Sequence, residues 1–161
     1  MKILVFSDSH NQTANMIEVI ESRNDIDMVI HLGDLVRDVE EIESIYSNLK
    51  FEYVAGNNDW FSSAEKEKVL YIEGKRIFIT HGNQYGVKNG YSDLIRKGAS
   101  LQADAIFFGH THIAYESIQD NILVVNPGSI SQPALRQEPS YCFLEIGSKE
   151  IKSKLLNFTR L

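Results

Sequence analysis

Residues 3–10 read Ile3-Leu4-Val5-Phe6-Ser7-Asp8-Ser9-His10, an unbroken apolar run followed directly by a carboxylate and an imidazole. A continuous run with β-branched residues predicts a strand that is buried on both faces. Such strands belong to parallel sheets covered by helices. This stretch therefore predicts an α/β protein with polar side chains at the end of its first strand.

The following residues support that prediction. Met16, Val19 and Ile20 recur at the spacing of an amphipathic helix, and residues 28–30 form a second buried strand. A second helical pattern covers residues 39–49, and residues 51–55 form a third strand. This β-α-β-α-β opening predicts right-handed crossovers and a mainly parallel sheet.

The pattern changes in the second half of the chain. Residues 69–80 and 113–125 each predict a hairpin, separated by a third helix over 91–101 and an apolar strand over 105–108. Two closing strands are predicted at 141–146 and 152–158. The mixture of crossovers and hairpins predicts two sheets packed face to face with helices outside, in one domain spanning residues 1–161.

Composition narrows the classes of partner. The 161 residues carry a net charge of -6 and no block of lysine or arginine, which disfavours binding to long nucleic acid or an anionic membrane. The single cysteine, Cys142, predicts a buried hydrophobe in a reducing cytoplasm. The apolar run at the start is too short for a signal peptide, and no segment reaches the length of a membrane span.

Short polar motifs follow the apolar runs. They are Asp8-Ser9-His10, Gly33-Asp34, Gly56-Asn57-Asn58-Asp59, His81-Gly82 and Gly109-His110-Thr111-His112. Strand ends of an open α/β sheet meet at one crevice, so we expect these side chains to converge. Extended backbone at Asp8 and His10 would point both side chains the same way. This predicts seven metal ligands: Asp8, His10, Asp34, Asn57, His81, His110 and His112.

Seven ligands are too many for one ion of this kind, so two metals sharing Asp34 are expected. A pair of ions about 3.5–4 Å apart can clamp the attacking and leaving oxygens of a phosphoryl group. Nitrogen and oxygen ligands admit manganese, iron, zinc, nickel or cobalt.

These motifs, in this order, resemble those of the calcineurin-like metallophosphoesterase superfamily. The short chain resembles the small single-domain bacterial and archaeal phosphodiesterases of that superfamily. The resemblance implies a four-layer α/β/β/α sandwich, manganese as the first choice of metal, and a homo-oligomer. It also assigns one metal to Asp8, His10, Asp34 and His112, and the other to Asp34, Asn57, His81 and His110.

The sequence departs from the family pattern at two positions. Many relatives have a histidine where this chain has Asn58, and small members often have one at the position of Asn83. An amide cannot act as a general acid near neutral pH. Asn58 and His110 are the residues to which we assign a catalytic role beside metal binding, and weak activity on poor leaving groups is expected.

The resulting hypothesis is a metal-dependent phosphodiesterase that uses metal-activated water on a small phosphodiester, without a covalent intermediate. Two alternatives remain open: a non-catalytic metal-binding scaffold of the same fold, and a nuclease on short oligonucleotides.

Several other residues have a structural and a functional interpretation. A structural role is favoured for His31 and Asp59, and a helix cap for Asn11. Trp60 and Phe61 could form a pocket wall or pack in the core, and Tyr85 and Arg136 could shape the pocket or lie on the surface. Residues 126–129 could be a plain turn, although the resemblance places this loop near the crevice.

Overall fold

The computed structural model describes residues 1–159, which form two five-stranded sheets and three α-helices. In chain order the elements are β1 (Lys2–Phe6), α1 (Thr13–Glu21), β2 (Met28–His31), α2 (Val36–Ile45), β3 (Lys50–Tyr53), β4 (Glu67–Ile72), β5 (Lys75–Thr80), α3 (Ser92–Ser100), β6 (Ala105–Phe107), β7 (Ala114–Gln119), β8 (Ile122–Pro127), β9 (Ser140–Ile146) and β10 (Ile151–Asn157). A 3₁₀ helix covers Asn83–Tyr85.

The two sheets each combine parallel and antiparallel pairing. The first sheet has the order β10-β9-β1-β2-β3, in which β1, β2 and β3 are parallel. The second has the order β4-β5-β6-β8-β7, in which β5, β6 and β8 are parallel. Hairpin partners complete both sheets with antiparallel strands. Every parallel strand except β3, which forms the edge of the first sheet, therefore lies inside its sheet, where both faces can be covered.

Side chains that alternate along β1 separate the layers. Ile3 and Val5 belong to a cluster that joins the two sheets, whereas Leu4 and Phe6 pack with residues of α1 and α2. A third cluster packs α3 against the outer face of the second sheet. Since strand side chains alternate between faces, these clusters form the layers helix, sheet, sheet, helix. The predicted α/β/β/α sandwich is confirmed.

Several predicted boundaries need correction. The second helix ends at Ile45, so Tyr46 and Leu49 pack against the core from the loop that follows. Strand β8 continues to Pro127, so Asn126 and Pro127 belong to a strand and not to a turn.

Cys142 is buried as predicted, and burial raises the pKa of its thiol to about 12. None of the helices within residues 1–159 has the length and apolar character needed to cross a membrane.

Candidate metal centre

The predicted ligands follow the carboxyl ends of five parallel strands. Asp8 and His10 follow β1, Asp34 follows β2, Asn57 follows β3, His81 follows β5, and His110 and His112 follow β6. Strands from both sheets thus contribute to one crevice. Among these ligands, the contact between Asp8 and His112 joins residues 104 positions apart in the sequence.

One group of candidate ligands contains Asp8, His10 and His112. Asp8 Oδ1 lies 3.1 Å from His112 Nε2 and 4.0 Å from His10 Nε2. The two imidazole nitrogens are 3.4 Å apart. Each residue offers a ligand atom within 4.8 Å of the others, which is close enough for one ion to reach all three.

A second group contains Asp8, Asp34 and His81. His81 Nε2 lies 3.5 Å from Asp34 Oδ2 and 3.9 Å from Asp8 Oδ1. Asn57 Oδ1 lies 3.2 Å from the same His81 nitrogen, and the rings of His81 and His110 are 5.1 Å apart between centroids. All seven predicted ligands therefore lie in one cluster. In this arrangement Asp8 is the residue common to both groups.

The extended backbone predicted for Asp8 and His10 was wrong. Both residues have left-handed backbone, with φ of 54° and 44°, and so do His110 (69°) and His112 (58°). The chain therefore turns sharply at these residues, where an extended segment was expected. Left-handed backbone is uncommon outside glycine and is enriched in Asn, Asp and His. The side chains meet because tight loops direct them inward.

The burial, missing hydrogen bond and charge of the Asp8 carboxylate are those expected of a ligand to a cation. Its side chain is fully buried, and Oδ1 is the one buried side-chain oxygen or nitrogen within residues 1–159 that has no hydrogen-bond partner. An unpaired carboxylate oxygen is costly to bury. Burial opposes ionisation of Asp8, but contact with His112 and the proximity of His81 lower its pKa overall. An ionised, unpaired oxygen among imidazoles and a second carboxylate fits a divalent metal.

Hydrogen bonds orient the imidazoles toward that oxygen. His81 Nδ1 lies 2.7 Å from the carbonyl of Leu32, and His112 Nδ1 contacts the carbonyl of Gln132. A carbonyl can only accept, so each Nδ1 carries a proton and each Nε2 is the ring nitrogen that faces the centre. Burial and the nearby His81 lower the pKa of His110 to about 4. His110 is therefore neutral near pH 7, as a metal ligand must be.

The Asp8 loop is supported by hydroxyl groups whose role was not predicted, although the resemblance placed the loop of residues 126–129, with Ser129, near the crevice. Ser7 Oγ and the backbone N–H of His110 donate to Asp8 Oδ2 over 2.6 and 3.1 Å. Ser129 and Ser131 donate to the Asp8 carbonyl over 2.7 and 3.0 Å. These bonds leave Oδ1 directed into the crevice. The sequence carries no spacing signal that would have marked the distant serines.

The loop of Asp34 is supported by Asp59. Asp59 accepts hydrogen bonds from the backbone N–H groups of Asp34, Gly56 and Val36 over 3.1, 2.7 and 2.8 Å. The structural role expected for Asp59 is confirmed. The helix that it caps is α2, which begins at Val36, and not the segment that follows Asp59 in sequence.

His31 also has a structural role, as expected. It is fully buried: Nδ1 accepts from the N–H of Gly33, and Nε2 lies 3.0 Å from Ser9 Oγ. Ser9 donates in turn to Asp38 over 2.7 Å. Burial lowers the pKa of His31 to about 4. This network ties the Asp8 loop to α2, and neither Ser9 nor Asp38 was identified from sequence.

The remaining candidates divide clearly. Trp60 and Phe61 are 82% and 104% exposed, so packing in the core was the wrong alternative. Helix α1 has no side-chain cap, so Asn11 does not cap it. Tyr85 donates to Glu67. Asn126 lies beside the site, because its amide donates to the carbonyl of Gly109 over 2.9 Å.

Comparison with known proteins identifies the class. Residues 1–149 match the model of the calcineurin-like phosphoesterase superfamily domain. A probable metallophosphoesterase of Bacillus subtilis, YsnB, is 33% identical over 149 residues, which cover 91% of this chain and 85% of that protein. The phosphodiesterase MJ0936 of Methanocaldococcus jannaschii is 32% identical over 146 residues, covering 80% of this chain and 83% of that protein.

The structural comparison agrees. The crystal structure of a predicted phosphoesterase from Streptococcus pneumoniae superposes with a TM-score of 0.82 at 28% identity, covering 97% of this chain and 88% of that one. The chain belongs to the calcineurin-like phosphoesterase superfamily. It is a hydrolase of phosphoric esters, as the order of its motifs predicted.

Proposed function

We propose that this chain is a metal-dependent phosphodiesterase with two divalent ions at the crevice, and that manganese is the first metal to test. The observation that carries the proposal is the buried, unpaired Asp8 Oδ1 within reach of His10, His81 and His112. Asp8, His10, Asp34 and His112 would hold one ion. Asp34, Asn57, His81 and His110 would hold the other. The resemblance makes Asp34 the shared ligand, whereas the close groups of the structure have Asp8 in common.

Bound ions of this kind activate water and neutralise charge on the phosphate. The chain itself supplies orientation. The carbonyls of Leu32 and Gln132 fix the Nδ1 protons of His81 and His112, and Ser7 fixes the Asp8 carboxylate. Ligands held in this way lose little freedom on binding, which strengthens metal affinity and keeps the substrate phosphate in one position.

One observation favours a substrate with a good leaving group, and a second favours a diester. The amide of Asn58 donates to Asp34 Oδ2 over 2.7 Å, so this position provides neither a proton nor a free side chain for the leaving oxygen. The archaeal relative with 32% identity is named a phosphodiesterase. We further propose that the protein acts in the cytoplasm, where Cys142 stays reduced.

The test uses protein stripped of metal with a chelator and then supplied with manganese, iron, zinc, nickel or cobalt. Hydrolysis of bis-p-nitrophenyl phosphate is measured beside hydrolysis of p-nitrophenyl phosphate, the matched monoester. We expect metal-dependent cleavage of the diester that exceeds cleavage of the monoester. Faster monoester cleavage would contradict the diesterase proposal. Absence of turnover with every metal would favour the scaffold alternative.

A further inference from the structure

An open groove of about 440 Å³ lies between the start of α2 and the loop that joins β3 to β4. We call it the aromatic groove. The lining residues that matter here are Leu35, Arg37, Glu40, Asn58, Trp60 and Phe61. Trp60 and Phe61 are among the most exposed large hydrophobic side chains of the described chain, at 82% and 104%. Neither side chain is buried, so both are free to contact a ligand in the groove.

The aromatic groove is continuous with the candidate metal centre. Asn58 lines the groove and also donates hydrogen bonds to both oxygens of Asp34. Leu35, another lining residue, directly follows Asp34 in the chain. A phosphate held at the metal centre would therefore have one of its ester groups at the entrance of this groove.

The charges of the groove disfavour a second phosphate. Arg37 and Glu40, one cation and one anion, both line it. Arg37 also contacts Asn11 and lies 3.9 Å from Asp38. Asp59, the other lining acid, accepts hydrogen bonds from three backbone amides. A groove without excess positive charge, flanked by two aromatic side chains, suits an uncharged planar ring.

We propose that the aromatic groove binds a planar aromatic ester group of the substrate, an aryl ring or a nucleobase, against Trp60 and Phe61. This inference rests on the proposed function for the position of the phosphate, and it names the substrate class: a phosphodiester with at least one aromatic ester group. Stacking of a base on an aromatic side chain is worth about 1–3 kcal/mol, so the ring should tighten binding about 10-fold.

Trp60 is the only tryptophan of the chain, so tryptophan fluorescence reports on the groove directly and without turnover. Manganese-loaded protein is titrated with two pairs of compounds that differ only in the ring: adenosine 5′-monophosphate against ribose 5-phosphate, and phenyl phosphate against methyl phosphate. We expect the aromatic member of at least one pair to quench the fluorescence and to bind about 10-fold more tightly. The pair that responds distinguishes a nucleobase from a simple aryl ring.

Two variants complete the test. Phe61→Ala keeps the tryptophan and should reduce the affinity ratio of the responding pair toward one. Tyr71→Ala is the matched control: Tyr71 is 72% exposed, and it pairs with Arg76 toward the far end of β5 from His81. It should leave the ratio unchanged. All three proteins should show the same thermal melting, because the substituted side chains are exposed.

The proposal is overturned if neither pair shows a preference for the aromatic member, or if Phe61→Ala and Tyr71→Ala change the ratio equally. The proposed phosphodiesterase function is tested separately, by diester turnover. Absence of diester turnover with a persisting preference for the ring would contradict the phosphodiesterase and leave the groove as a binding site. Turnover without the preference would contradict the groove alone.

Discussion

Asn58 donates two hydrogen bonds to Asp34, from its backbone N–H to Oδ1 over 3.0 Å and from its side-chain amide to Oδ2 over 2.7 Å. Asn58, which stands where the family resemblance implies a histidine, is therefore bound to a candidate metal ligand. It holds Asp34 in place and offers no titratable proton near neutral pH. At this position the chain therefore has a group that supports a candidate metal ligand and that cannot act as a general acid.

Restoring a histidine should change the dependence on the leaving group. In Asn58→His, we expect turnover of a diester with a phenolate leaving group to rise at least about 10-fold relative to one with p-nitrophenolate, because general acid catalysis contributes 10²–10⁴-fold where the leaving oxygen needs a proton. The measurement is the ratio of the two kcat values. Asn58→Ala, which removes the amide without adding an acid, should keep the wild-type ratio. An unchanged ratio in Asn58→His would contradict the assignment of this position to the leaving group.

Removing one histidine ligand should remove one metal. We expect His110→Ala and His112→Ala each to retain about one ion per chain, against the two that we propose for the wild type, counted by elemental mass spectrometry after dialysis. Diester turnover should fall about 100-fold or more, since charge stabilisation by a metal is worth several kcal/mol. His31→Gln serves as the control and should retain both ions, because His31 Nε2 faces Ser9. Full metal content in His110→Ala would refute the proposed ligand sets.

A small side chain at Gly56 should disturb Asp34 sharply. A Cβ at this glycine would lie 2.0 Å from Asp34 Oδ1 and 2.8 Å from its backbone nitrogen. We expect Gly56→Ala to weaken metal binding about 10-fold or more and to lower the free energy of unfolding by about 1–3 kcal/mol. Gly147→Ala is the matched control, because no atom lies within 4 Å of its Cβ. Calorimetric metal titration and urea unfolding measure the two effects. Equal metal affinities and equal free energies of unfolding for the two variants would show that the Asp34 loop accommodates the added methyl group, which would contradict the prediction.

His31 should make the metal-free protein sensitive to acid. Its pKa is about 4 in the folded chain, because burial disfavours the charged ring, against an ordinary value of 6.5. As the pH falls from 6.5 to 4, the unfolded chain binds a proton that the folded chain does not, so stability is lost across that window by on the order of 3 kcal/mol. Above pH 6.5 His31 adds no pH dependence. Urea unfolding at several pH values should show a shallower loss in His31→Gln. Parallel curves for the two proteins would exclude His31 as the cause.

The layers of the fold could be predicted because the pattern of apolar residues indicates which positions are buried. Continuous apolar runs such as Ile3–Phe6 marked the inner strands, and helical spacing at Met16, Val19 and Ile20 marked the face of α1. Residue Tyr46 shows where the pattern fails. It continues the helical spacing and packs against the core, but the helix ends at Ile45. The spacing of apolar residues indicates which side chains are buried, and it does not show where helical hydrogen bonding ends.

The prediction that the seven metal-ligand candidates converge came from strand ends, and the structure brings those residues together. Their supporting residues were not predictable. Ser129 and Ser131 reach the Asp8 carbonyl from more than 120 positions away, and serines carry no pattern that sets them apart. The location of Trp60 and Phe61 could not be predicted either, because aromatic side chains occur both in protein cores and beside binding grooves.

The sequence by itself determined the fold class, the family and the identity of the candidate ligands, because strand burial and short polar motifs are local properties of the chain. Only the tertiary structure decided that Asp8 Oδ1 lacks a hydrogen-bond partner, that Asn58 binds Asp34, and that Trp60 and Phe61 lie open beside the site. These are relations between distant segments, and they exist only once the strand ends of two sheets have packed into one crevice.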